Sequence, residues 1–162
     1  MKINIDTITR ASKELIGNII RTPTIRSQHL SSEINGEAFL KLENLQYTSS
    51  FKVRGAYTSI KRLKEEQKKK GVIAMSAGNH AQAVAWWAKK ECVNATIVMP
   101  EHAPLFKVMK TKSLGADVIL RGRTLNESQT YVSDLVNDKK LTLIHPYDCL
   151  LYTSDAADEQ QR

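Results

Sequence analysis

Apolar residues recur along this chain in two rhythms. From residue 72 onward, short apolar runs alternate with longer stretches whose apolar positions fall three and four apart. The runs are Val72–Met75, Ala95–Met99, Asp117–Leu120 and Leu141–Ile144, each of strand length. Between them, Asn79–Lys90 carries Ala81, Val84, Ala85 and Ala88 on one helical face. Pro104–Leu114 is a second helix, stopping at Gly115. Leu125–Asp138 is a third, with Tyr131, Val132, Leu135 and Val136 inward. This alternation predicts a parallel sheet with right-handed crossovers. Strands that are apolar nearly throughout predict helices on both faces.

Before residue 72 the pattern is less regular. Asp6 is expected to cap a helix that turns Ile8, Ala11, Leu15 and Ile19 to one side, with Thr22-Pro23-Thr24 ending it. Residues 38–42 read as a short strand after the Gly36 turn. A helix over about 53–68 puts Val53, Ala56, Tyr57, Ile60 and Leu63 on one stripe and stops at Gly71. The cations Lys61, Arg62, Lys64, Lys68, Lys69 and Lys70 lie around Glu65 and Glu66, and read as that helix's exposed end and a polar loop. From Leu150 to Arg162 the residues are mostly small and polar and offer no apolar stripe to a core.

Composition narrows the class. A length of 162 residues fits one domain or part of a larger one, and 41% hydrophobic with 25% charged residues is ordinary for a globular chain. No apolar run is long enough for a spanning helix, so no membrane partner is expected. Met1-Lys2-Ile3-Asn4-Ile5-Asp6 has no leader-like core, which makes a cytoplasmic location the expectation. The net charge of +7 comes without a recognition motif or interleaved aromatics, so nucleic acid is not an expected partner. Cys92 and Cys149 form no disulfide framework. His29, His80, His102 and His145 lack zinc spacing, so no metal is expected.

Two stretches can carry chemistry. Ser76-Ala77-Gly78-Asn79 follows a strand and opens a helix, the position where ligands gather in open α/β sheets. Gly78 allows a tight turn, and the free N–H groups of a helix start favour an anion by roughly 0.3–1 kcal/mol when exposed. The same residues also suit a simple helix cap. The second stretch is Thr48-Ser49-Ser50-Phe51-Lys52-Val53-Arg54-Gly55. Lys52 beside Phe51 suits a lysine that binds a carbonyl cofactor, with the aromatic as a wall for a flat ring; it also suits one more solvated lysine. Arg54 is either a cationic neighbour to that amine or the partner of a carboxylate elsewhere. Phosphate-loop, dinucleotide-turn and nucleophile-elbow motifs are absent. Trp86 and Trp87 are adjacent on a helix, so at least one points away from the other's face, and packing is their expected role.

Taken together, Leu40-Lys41-Leu42-Glu43-Asn44-Leu45-Gln46, Ser50-Phe51-Lys52-Val53-Arg54-Gly55-Ala56 and Ser76-Ala77-Gly78-Asn79-His80-Ala81-Gln82 resemble the threonine dehydratases. So do Ala95-Thr96-Ile97-Val98-Met99-Pro100-Glu101, Leu114-Gly115-Ala116-Asp117-Val118 and His145-Pro146-Tyr147-Asp148. These enzymes belong to the tryptophan-synthase-β-like group that uses pyridoxal 5'-phosphate, and the likeness, nearest to the catabolic branch, runs from about residue 5 to 148. It implies an α/β fold in which 1–64 begin the large cofactor domain and 65–148 form the small parallel-sheet domain.

The resemblance also implies roles. Lys52 is expected to carry pyridoxal 5'-phosphate and to move protons at the substrate α-carbon, Phe51 to lie against the ring, and Asn79 to hydrogen-bond its 3'-oxygen. The backbone of Ser76, Ala77, Gly78, Asn79 and His80 is expected to hold the carboxylate of an amino-acid substrate. The implied reaction converts L-threonine to 2-oxobutanoate and ammonia, with L-serine as a side substrate, and the intact relative is expected to be a homo-oligomer. The serine racemases of this group carry a serine where this chain has Ala77, which disfavours racemisation. The alternatives are a serine dehydratase or racemase, and a non-catalytic anion-binding module. Ahead of Ser50-Phe51-Lys52, Tyr47-Thr48-Ser49 departs from the family's Thr-Gly, and Ala83 replaces a usual Gly. After Asp148 the family continues into a glycine-rich phosphate cradle, whereas residues 149–162 resemble foreign read-through. The expectation is a fragment that binds cofactor poorly and does not turn over by itself.

Overall fold

The chain enters on α1 (Ile5–Leu15). Its cap is Asn4 and not Asp6. The Asn4 side chain accepts the Thr7 N–H, and the Thr7 hydroxyl accepts the Asn4 N–H in return. That reciprocal pair satisfies donors which the first turn leaves open. The helix also stops sooner than its apolar spacing predicts, since Gly17 turns the backbone to φ +78° well ahead of Pro23. The computed structural model describes residues 4–146. Tyr147, Asp148, Cys149 and the rest of the 149–162 tail lie outside them.

β1 (Thr24–Arg26) and β2 (Phe39–Lys41) pair antiparallel, with α2 (Gln28–Glu33) between them. The sequence reading anticipates only β2. β1 is too short for a period, and α2 is a brief helix started by Ser27, whose hydroxyl accepts the Leu30 N–H. A 3₁₀ turn over Glu43–Leu45 then leads to α3 (Lys52–Lys61) and α4 (Glu65–Lys70). The single helix expected over 53–68 is therefore two. Lys64 is extended, and its N–H is taken by the Gln67 side chain, which starts a new helix. α4 buries nothing. It holds together as acidic Glu65 and Glu66 at its start and Lys68, Lys69 and Lys70 at its end, the arrangement a helix dipole favours. So the expected polar loop is a helix.

From here the elements follow the predicted order: β3 (Val72–Met75), α5 (Asn79–Lys90), β4 (Ala95–Met99), α6 (Leu105–Ser113), β5 (Asp117–Leu120), α7 (Leu125–Lys139) and β6 (Thr142–Leu143). The four strands form one parallel sheet in the order β5-β4-β3-β6. β6 is shorter than its apolar run because only Thr142 and Leu143 align with β3.

Alternation along the strands divides the core. Val72, Ala74, Ala95, Ile97 and Met99 pack with α5, with Val108 of α6, and with Leu15, Val53, Ala56 and Ile60 of α1 and α3. Ile73 and Val98 point the other way, onto Val132 of α7, with Tyr131, Leu135 and Val136 beside it. Full burial of an aliphatic side chain such as Ile73 or Ile97 contributes about 1.5–3 kcal/mol. α3 is fixed to α5 by Trp87, whose indole N–H donates to the Val53 carbonyl at 2.8 Å, while Trp86 stacks on Tyr47 at 4.6 Å and meets the Trp87 ring edge to face at 4.5 Å. The Trp87 bond to Val53 falls in the first turn of α3, which begins at Lys52. Among the described residues no helix is long and apolar enough to cross a membrane.

Candidate active site

The strand order reverses between β3 and β6, and the carboxyl ends of those strands define the ligand crevice of a doubly wound sheet. β3 runs into Ser76-Ala77-Gly78, and β6 runs into Ile144-His145-Pro146. The two segments are tied: His80 Nε2 lies 2.9 Å from the Ile144 carbonyl. A carbonyl can only accept, so Nε2 carries the hydrogen. Burial pulls the His80 pKa below its ordinary value, the nearby Lys52 and His145 charges pull the same way, and the Ile144 bond opposes them. The imidazole is neutral at neutral pH.

Lys52 reaches this point from α3. Its Nζ donates to the Pro146 carbonyl at 2.6 Å, and it sits close enough to His80 to act on it electrostatically. The side chain is partly buried. Phe51 stands next to it, its ring centroid 5.1 Å from Nζ, and the ring is 39% exposed.

The 76–80 turn faces open space. Ser76 Oγ accepts the Gly78 N–H at 3.1 Å, which tightens the turn. A Cβ built on Gly78 meets nothing within 4 Å. The first backbone bond back along α5 is from Gln82 N–H to the Gly78 carbonyl. The amides of Asn79, His80 and Ala81 therefore precede the helical ladder and suit an anion. Ala77 packs against the main core, and Asn79 is exposed at the helix start.

Arg54 takes the second of its two possibilities. It is 0% exposed and grips Glu43 through Nε and Nη2, both at 2.9 Å. Burial pushes the Glu43 carboxyl up, but hydrogen bonds from Arg54 and Thr22 outweigh it and hold the pKa below the ordinary value. The contacts that sequence reasoning misses are the Ile144 and Pro146 carbonyls. His145-Pro146 enters that reading only as part of a resemblance, because every residue has a backbone carbonyl and none is marked by its type.

A lysine amine and an aromatic ring thus lie at the same strand switch as the helix-start amides, an arrangement whose chemistry suits a carbonyl compound paired with an anion. A family profile described as pyridoxal-phosphate dependent enzyme matches residues 15–157. The chain belongs to that family of pyridoxal-phosphate-dependent enzymes. It is 50% identical over 147 residues to the catabolic L-threonine dehydratase TdcB of Staphylococcus aureus, a match over 90% of this chain and 42% of that protein. Its fold matches serine racemase from Dictyostelium discoideum with a TM-score of 0.89 at 34% identity, covering 98% of this chain and 52% of that one. Processed threonine deaminase isoform 2 from Solanum lycopersicum matches with a TM-score of 0.86 at 32% identity, over 100% of this chain and 47% of that one. The chain thus spans about half the length of the relatives it matches. The site's residues fit the cofactor: an amine for its aldehyde, a ring for its face, open space at Gly78, and the amides of Asn79, His80 and Ala81 ahead of the helical ladder.

Proposed function

We propose that these residues serve the dehydration and deamination of L-threonine to 2-oxobutanoate and ammonia, with L-serine giving pyruvate as a side reaction. The observation that carries this reading is the Lys52 amine on the Pro146 carbonyl, at the strand switch that the 76–80 turn also borders. The 50% identity to a catabolic L-threonine dehydratase supports the choice of substrate.

In this reading Lys52 holds pyridoxal 5'-phosphate and then carries the proton to and from the substrate α-carbon. The amides of Asn79 and His80 bind and orient the substrate carboxylate. The Phe51 ring lies along the cofactor, and the Asn79 side chain donates to its 3'-oxygen. The cofactor, when bound, supplies the electron sink. Ala77 has no hydroxyl, so it cannot deliver a proton from the second face. This favours elimination over the racemase chemistry named for the Dictyostelium relative.

The chain spans 42% of its dehydratase relative, and the resemblance puts the phosphate cradle after Asp148. We therefore infer weak cofactor capture and no turnover by the 162-residue chain alone. Borohydride reduction in excess pyridoxal 5'-phosphate, followed by peptide mass mapping, tests this. The expected result is an adduct concentrated on Lys52 and lost in Lys52→Ala, with no 2-oxobutanoate formed from L-threonine. Labelling spread evenly over the lysines would sink the assignment of Lys52, and tight capture or turnover would sink the inference of incompetence.

A further inference from the structure

We propose that the His80 side chain is a positioning residue for the Lys52 amine, acting through the segment that follows β6. β6 pairs with β3 only at Thr142 and Leu143, and the last recorded bond between the strands runs from Ile144 N–H to the Ile73 carbonyl at 2.9 Å. Beyond it the backbone leaves the ladder. The His80 imidazole takes hold there, donating from Nε2 to the Ile144 carbonyl at 2.9 Å. Two residues on, the Pro146 carbonyl receives the Lys52 amine at 2.6 Å. His80 and Ile144 are 5% and 3% exposed, so little water competes for this bond.

The geometry gives the side chain a role distinct from its backbone. The His80 amide belongs to the turn that opens α5. The imidazole belongs to a tether running from α5 through Ile144 and Pro146 to Lys52, which joins both halves of the crevice. A hydrogen on Nε2 is what this tether requires, because the acceptor is a carbonyl, and the neutral imidazole supplies it only as the Nε2–H tautomer. Pro146 stiffens the short span between the two bonded carbonyls, so a displacement at Ile144 is passed to the carbonyl that holds the amine.

The inference rests on the reading of Lys52 as the cofactor-bearing amine, and its test separates the two. Acetic anhydride is applied to the 162-residue chain in trace amounts, and acetylation of Lys52 is followed by mass spectrometry against exposed lysines of the same digest. His80→Phe removes the N–H, and is expected to raise relative Lys52 acetylation by about fivefold, the worth of one net hydrogen bond. His80→Gln keeps a donor and is expected to return the rate toward that of the unsubstituted chain. Nitrogen-15 NMR of the unsubstituted chain is expected to show the Nε2–H tautomer of His80. Unchanged acetylation in a folded His80→Phe chain overturns the proposal, as does an Nδ1–H tautomer. If His80→Phe does not fold, the tautomer and the His80→Gln rate decide, and a rate there like that of fully exposed lysines overturns it. If pyridoxal 5'-phosphate and borohydride leave no adduct on Lys52, the cofactor reading fails, and the acetylation rates still judge the tether.

Discussion

At the residue scale, a buried ion pair lies beside the candidate site. Arg54 is fully buried two residues along α3 from Lys52, and Glu43 is its partner at 2.9 Å. Replacing Glu43 with alanine leaves a guanidinium in the core without its carboxylate, so the expected loss is about 3–5 kcal/mol by urea denaturation. An unchanged midpoint contradicts this. The Glu43 pKa is lower folded than its ordinary value of 4.5, so the stability it supplies is complete above that value and is lost as the pH falls below it. His80 adds a separate window. Its pKa is depressed from 6.5, mainly by burial, so its contribution is complete above about that value and is lost on acidification below it. His80→Gln is expected to flatten the stability curve just below 6.5, while the acid limb set by Glu43 remains. A slope there that survives the substitution would assign it to another group.

At the scale of elements, Gly71 joins the polar helix α4 to the buried strand β3. Its backbone lies at φ +98° and ψ 175°, a region essentially reserved for glycine, and a Cβ there would sit 2.8 Å from the Asn94 carbonyl oxygen. Gly71→Ala is expected to lower stability by about 1–3 kcal/mol or more, seen as a fall in thermal midpoint. An unshifted midpoint would mean that the α4–β3 junction is softer than described. The elements from Val72 to Lys139 were legible in the sequence because each apolar run or stripe is long enough to show its period. β1 and α2 were not, being short pieces placed by tertiary pairing and a serine cap. The break between α3 and α4 was hidden for another reason: charged residues of good helix propensity continue straight across Lys64. In the candidate site, the 76–80 turn stood out by its position after β3, whereas Lys52 stood out from the other lysines only through the resemblance. Their meeting was not legible, because it runs through the carbonyls of Ile144 and Pro146.

At the scale of the molecule, the chain has a well-covered parallel sheet and a less covered N-terminal stretch. Ile25, Leu30, Ile34, Phe39 and Leu40 are all exposed, though their types belong in a core. Their setting is the small β1–α2–β2 unit, whose sheet has only two strands. The crevice between β3 and β6 instead rests on the buried residues of β3 and α5, and it is held from three directions: α3 by Trp87, the turn by Ser76, and the 144–146 segment by His80. The central claim is that a group carried on the Lys52 amine reaches the opening of α5. The most direct measurement reduces pyridoxal 5'-phosphate onto Lys52 in the 162-residue chain and compares amide NMR spectra before and after. The account predicts the largest shifts at Gly78, Asn79 and His80 as well as at Phe51 and Val53. Shifts confined to the neighbours of Lys52 in sequence, with the 76–80 amides unmoved, would contradict it.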